Sequence, residues 1–281
     1  MRDSNGDPVS ALIAELSGKP INLPFSSSGP NLFQALGSRW RDIASTSRQI
    51  IDALESFPYA ISPDGRTAIE AFKRLIYDST ELFDVYTQLF PSIVSELVSK
   101  SDLKSYSSAA KRLRTPWALI CNKCKHSGSQ IIFVWAKSRI NGATSGRYMV
   151  CSFKDGNALV RDEEVHKGGR SGVCLTRSVK ELLHALLRVD LLAAKLVRAI
   201  KKHHVQNLQK LSGFIKIGKE LSRIEPLYTM SFSDESIMFD SFSIEPSRVV
   251  LNRSSTGRLI DPVHITTLLQ GDGVTTTFSF A

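Results

Sequence analysis

Apolar side chains recur every three or four residues through the first part of the chain. From Asn31 to Phe57 they fall at Leu32, Leu36, Trp40, Ile43, Ile50, Ile51 and Leu54. That is the spacing of one helical face, with Ser28-Gly29-Pro30 as a start signal and Pro58 as a stop. Ser62-Pro63-Asp64-Gly65 is turn chemistry. The same period then predicts helices over 66–79 and 80–100, the second kinked near Pro91. Another follows over 102–126, where Pro116 is expected to split the helix. Residues 31–126 thus read as a bundle of about four helices.

The period changes after Gly128. Ser129–Ala136 and Arg147–Phe153 are rich in β-branched and aromatic residues, with Asn141-Gly142 in the loop between them. This is a hairpin signal. Asp155-Gly156-Asn157 is a further turn, Ala158–Arg161 a third strand, and Val173–Leu175 a short fourth. So small a meander must pack on helices. Thr176–His204 is one long amphipathic helix, with Leu182, Leu186, Val189, Ala193, Leu196 and Ile200 on its apolar face. Thr176 or Ser178 is a candidate cap. Lys180, His184, Arg188, Lys195 and Arg198 fall on the other face, which is expected to meet solvent.

After a polar stretch over 205–224 the pattern turns β at Leu227–Phe232, Ile237–Ile244 and Val249–Asn252. Asp261-Pro262 opens a short predicted helix to Leu269, and Val274–Phe280 is a last strand. The fold class is α+β. It comprises an N-terminal helical bundle, a small central antiparallel sheet, a long amphipathic helix and a β-rich C-terminal part. Residues 1–30 form an arm or loop that begins with a short amphipathic run, Val9–Leu16, and continues as a stretch rich in Gly, Pro and Ser. Residues 31–204 hold the bundle, meander and long helix, and 225–281 a C-terminal subdomain.

A chain of 281 residues with 42% hydrophobic content fits one large or two modest domains. Its longest apolar-rich stretch, Val179–Ile200, is interrupted by Lys180, Glu181, Arg188, Asp190, Lys195 and Arg198. A membrane helix needs about 20 mostly apolar residues, so no membrane partner is expected. Acidic residues stand early in the N-terminus, ahead of any apolar run that would make a secretory signal. The four cysteines are therefore expected as thiols, in a cytoplasmic setting.

Charge is unevenly placed. Residues 101–220 hold 23 Lys and Arg against 8 Asp and Glu, a net of +15. The flanks, 1–100 and 221–281, are each at −3. A basic block between acidic flanks suits a nucleic-acid surface. It equally suits the chain's own acidic ends, an acidic partner protein or a second copy.

The chemistry concentrates at Lys111–His126, KRLRTPWALICNKCKH. Asn122 and His126 are four apart, so on a helix an amide and an imidazole stand together. Lys111, Arg112, Arg114, Lys123 and Lys125 surround them with positive charge. The Asn-x3-His pattern resembles that of the HEPN superfamily of nucleotide-binding and ribonuclease domains. Those are helical bundles whose active helix carries Arg, usually then Asn, three variable residues and His. The resemblance covers residues 31–126. It implies RNA or other nucleic acid as partner, pairing of two copies, and metal-independent cleavage. In that cleavage His126 would move protons, Asn122 would stand beside it, and an arginine would stabilise phosphate charge. By analogy it also implies a place in a bacterial defence or toxin system. The family's arginine falls here on Cys121, and Arg114 lies twelve residues, about 18 Å along a straight helix, from His126. The alternatives are a His126 that caps carbonyls before Gly128 and a non-catalytic assembly or scaffold subunit.

Two further constellations stand beside it. Cys121-x2-Cys124-x-His126 offers one close pair, with Cys151 and Cys174 far away. Structural zinc is usually held by two such pairs, so no metal or other cofactor is expected. HKGGRSG, residues 166–172, is a basic glycine-rich loop in which Lys167 and Arg170 are candidate phosphate contacts. It lacks the spacing of a P-loop.

Overall fold

The structure is a computed structural model. It describes residues 12, 32–56, 65–138, 144–154, 158–166, 173–204, 218–227, 240–245, 248–252 and 263–264. In chain order its helices are α1 (Leu32–Ser56), α2 (Gly65–Asp84), α3 (Phe90–Val94), α4 (Lys100–His126), α5 (Leu175–His204) and α6 (Gly218–Ile224). The strands are β1 (Gln130–Ser138), β2 (Thr144–Lys154), β3 (Ala158–Arg161), β4 (Val173–Cys174), β5 (Ser241–Glu245), β6 (Arg248–Asn252) and β7 (Val263–His264). The α+β class and the central antiparallel sheet are as the sequence pattern predicts.

The apolar stripes of α1, α2, α4 and α5 meet in one core with the inner face of the sheet. Strand β2 is its spine. It pairs antiparallel with β1 on one side, and on the other with β3 at one end and β4 at the other. Tyr148 of β2 packs against Phe72 of α2, ring centroids 4.8 Å apart and planes tilted by 58°. Gly65 opens α2 against Phe133 of β1. A Cβ there would lie 2.3 Å from the ring, so only glycine allows the approach.

Several expectations are corrected. Residues 66–79 and 80–100 are not separate helices. α2 runs to Asp84 and passes through one π-helical turn, Val85–Leu89, into α3. Pro91 explains the turn. The Phe90 N–H reaches back to the Val85 carbonyl, so the next donor in that wider register, for Tyr86, would come from Pro91. Proline has none. The Tyr106 hydroxyl of α4 supplies it, at 2.9 Å.

Pro116 does not split α4, which runs unbroken for 27 residues. The proline is exposed, and Trp117, Ile120 and Cys121 beyond it are buried. Packing outweighs the missing hydrogen bond. Thr176 and Ser178 do not cap α5. They lie inside it, buried, because the helix opens at Leu175 directly from β4. The helix predicted from Asp261 is also corrected, since Val263–His264 pair with Lys137–Ser138 at the free edge of β1. Of the predicted N-terminal arm only Leu12 is described; it is helical and buried. The predicted last strand, Val274–Phe280, lies outside the described residues.

Candidate functional site

Helix α4 begins at Ser99, whose hydroxyl accepts the Asp102 N–H at 3.1 Å. It ends where Gly128 takes φ 65° and the N–H groups of Ser127 and Ser129 both return to the Lys123 carbonyl. Backbone closes this terminus, so the His126 imidazole is not needed as a cap and stands exposed.

Tyr106, Ala110, Trp117, Ala118, Ile120 and Cys121 hold one side of α4 in the core. The other side is a ridge of Lys104, Ser108, Lys111, Thr115, Asn122 and His126, all exposed and spaced at threes, fours and sevens. Arg112 and Lys125 flank it, also exposed. From Lys104 to His126 the ridge is about 33 Å long at 1.5 Å per residue. The whole helix holds seven Lys and Arg against a single acid, Asp102. Among the described residues no carboxylate pairs with Lys104, Lys111 or Arg112.

Of the other four cations, Lys100 stands exposed at the start of the helix, while Arg114, Lys123 and Lys125 make contacts within the fold, Lys125 while still exposed. Arg114 pairs with Asp84 at 2.8 Å. Lys125 lies 4.6 Å over the ring of Tyr77. Lys123 bridges Asp162 at 3.2 Å and Glu164 at 3.0 Å. That last contact ties α4 to a turn after β3. Asp162 also accepts from Ser152 Oγ at 2.7 Å and from the N–H groups of Glu164 and Val165. Burial pushes the Asp162 carboxyl up, but these bonds and Lys123 outweigh it and hold the group below its ordinary value. His166 closes the turn by accepting the Val150 N–H on Nε2 at 2.8 Å, in place of a strand carbonyl. Lys167 and Arg170 lie outside the described residues.

Cys121, at the family's arginine position, is only 2% exposed. Cys124 beside it is half-buried, and burial pushes its thiol up to about 11. Among the described residues no three His, Cys, Asp or Glu side chains converge on a metal-sized site. No described helix is long and apolar enough to cross a membrane.

The cationic face of α5 is unlike that of α4. Lys180 is 8% and His184 2% exposed, which corrects the expectation that they meet solvent. Lys180 Nζ donates to the carbonyls of Glu225 and Leu227, at 3.0 and 2.7 Å. Burial pulls its ammonium below the usual lysine value. His184 and Arg188 face Asp240, at 3.8 and 3.6 Å. α6 is held on α1 by Arg48–Glu220 at 2.8 Å and by Arg223 with Asp52 and Glu55. This part of the basic block serves the chain's own acidic C-terminal segment.

Sequence reasoning also passed over Asp190, which it met only as an interruption of an apolar run. Asp190 is fully buried and accepts the Tyr86 hydroxyl at 2.5 Å. Trp40 Nε1 donates to the same hydroxyl at 3.0 Å, and the Leu12 N–H reaches the other carboxylate oxygen at 3.4 Å. Burial first, and then the Asp190 charge, push the Tyr86 phenol well above its ordinary value. With Tyr106, these groups join α1, α4 and α5 at the π-helical turn. The signal was a lone carboxylate on a core face, which must find buried donors. Lys104 was missed too, although it stands two helical turns before Lys111 on the same face.

Comparisons with protein-family models, curated proteins and solved structures find no match to this chain.

Proposed function

We propose that this chain is a HEPN-like nucleic-acid-binding protein that uses the exposed face of α4 to hold RNA or another polyanion. The observation that carries the reading is the ridge itself. Lys104, Lys111, Arg112 and Lys125 are exposed along one side of a rigid helix, and no acid interrupts them between Ser105 and His126. Such a surface neutralises phosphates and releases counterions. The short hydroxyls of Ser105 and Ser108 beside the cations suit phosphate and sugar contacts, while that of Thr115 donates to the Lys111 carbonyl at 2.7 Å.

Binding without cleavage is the form of this reading. Asn122 and His126 share the face, but the residue at the arginine position points into the core as Cys121. Lys125 adjoins the imidazole in sequence but lies over Tyr77, and Arg112 is about 21 Å away along the helix. The biological setting, a defence or toxin system, rests on the resemblance alone.

The test is a salt titration of labelled RNA with wild type and Lys111→Ala/Arg112→Ala. Affinity should fall steeply with salt, and the slope should drop by about 1.4 to 1.8 in the double variant, two phosphate contacts' worth. No binding at about 50 mM salt would leave the assembly-subunit reading in its place.

A further inference from the structure

The exposed face of α4 carries no phenylalanine, tyrosine or tryptophan, and its planar groups are the Arg112 guanidinium and the His126 imidazole. The two aromatic residues of the helix, Tyr106 and Trp117, are both buried. Tyr77 beside it is already covered by the Lys125 ammonium. Among the residues whose side chains are described, the exposed large apolar ones are Phe153 and Val160, on β2 and β3 rather than on α4. Proteins that hold single strands combine a cationic groove with aromatic platforms, since unstacked bases need a partner for their faces. This ridge has the cations but no large aromatic platform, only the smaller planes of Arg112 and His126. Its uncharged polar positions with free side chains, among the described residues, are Ser108 and Asn122, with Ser105 beside them, and they suit phosphate and sugar oxygens.

Length points the same way. The helix is unbroken along the ridge for about 33 Å, close to the roughly 34 Å of one duplex turn. Lys104 and the Lys111-Arg112 pair are about 10 to 12 Å apart along the axis, and Lys125 lies about 20 Å further on. The first interval matches the roughly 12 Å width of a duplex major groove. A flexible single strand would find planar partners for its bases only at Arg112 and His126.

Resting on the reading of α4 as a polyanion surface, we infer that its ligand is double-stranded nucleic acid, held by backbone phosphates and shape rather than by sequence. Duplex binding also concentrates charge, one phosphate per about 1.7 Å of axis, which a row of fixed cations uses better than a single strand.

The experiment compares a 20-base-pair RNA duplex, the matching DNA duplex and each single strand, by anisotropy with full-length protein. Wild type is set beside Lys104→Gln/Lys111→Gln/Arg112→Gln. The expected result is duplex binding about tenfold tighter than single-strand binding at low salt, without sequence preference. The triple variant should lose that preference with an unchanged melting temperature. Single strands bound as tightly as duplex, or more tightly, would overturn the inference and leave the polyanion reading standing. A duplex preference that survives the triple variant would overturn it too, because the duplex would then sit elsewhere. No binding to any of the four probes would remove both readings together. Stronger binding of the RNA duplex than of the DNA duplex would add recognition of the A-form backbone and its 2′-hydroxyls.

Discussion

Among the described residues, α4 and α5 are the two long basic helices, and they use their cations in opposite ways. On α4, Lys104, Lys111 and Arg112 stand in solvent along an open ridge. On α5, Lys180, His184 and Arg188 are drawn into contacts with Glu225, Leu227 and Asp240. Both helices show the same signature on paper, an apolar stripe backed by positive residues. They differ in where they lie. α5 packs on α2, α4, the sheet and the C-terminal segment, so both of its faces are covered at its N-terminal half. α4 sits at the edge of the bundle and keeps one side bare. A cationic stripe is thus a surface only if nothing else in the chain needs it.

The largest expected effect that tests this contrast is in the core of α5. Leu186 is fully buried, so Leu186→Ala should cost about 2–5 kcal/mol. Lys111→Ala on the open ridge should stay within about 0.5 kcal/mol. Urea midpoints of the two variants measure the difference, and equal midpoints would abolish it.

Next in size is the buried cation of α5. Lys180→Ala removes the donor from two carbonyls at the end of α6 and should cost about 1–3 kcal/mol. Amide exchange over Gly218–Ile224 should quicken with it. Unchanged exchange would show that the C-terminal segment is held by Arg48 and Arg223 alone.

A smaller effect lies at the far end of α4, where Asp162 receives Lys123. Its carboxyl titrates below the ordinary aspartate value of 3.8. The folded state therefore binds its proton more weakly than the unfolded state does. The resulting stability is present above pH 3.8 and is lost as pH falls through the lower folded value. Asp162→Asn should flatten the wild-type decline in urea midpoint between about pH 4 and pH 2. Parallel curves would mean that the ionised form gains nothing from the turn.

The smallest effect is at His126. It is exposed at the last residue of α4, so His126→Ala should change stability by less than about 0.5 kcal/mol. Neither wild type nor variant should cut RNA. Cleavage by wild type alone would make the imidazole catalytic and refute binding without chemistry.

Much of the fold was legible because its signals are local. The three- and four-residue spacing from Leu32 to Leu54 marks α1, and Leu182 to Ile200 marks α5, because a helix presents those positions on one face. Asn122 and His126 were legible as neighbours for the same reason. The β-branched and aromatic run Arg147–Phe153 marks β2, by composition rather than by period. Signals that depend on a distant partner were not legible. Pro116 looked like a break until Trp117, Ile120 and Cys121 were seen in the core. Val263 and His264 looked helical until the edge of β1 claimed them.

The sequence by itself determined the periods, and with them the helices, the meander and the +15 charge of residues 101–220. It also determined that α4 would carry cations, an amide and an imidazole on adjoining turns. Only the tertiary structure decided which cations remain available. Lys180 lost its water to the carbonyls of Glu225 and Leu227, while Lys111 kept its own. It also turned Cys121 inward and gave Asp190 its buried partners. Periodicity is a property of neighbours a few residues apart, whereas exposure and pairing depend on segments more than a hundred residues away, as the 104-residue separation of Tyr86 and Asp190 shows.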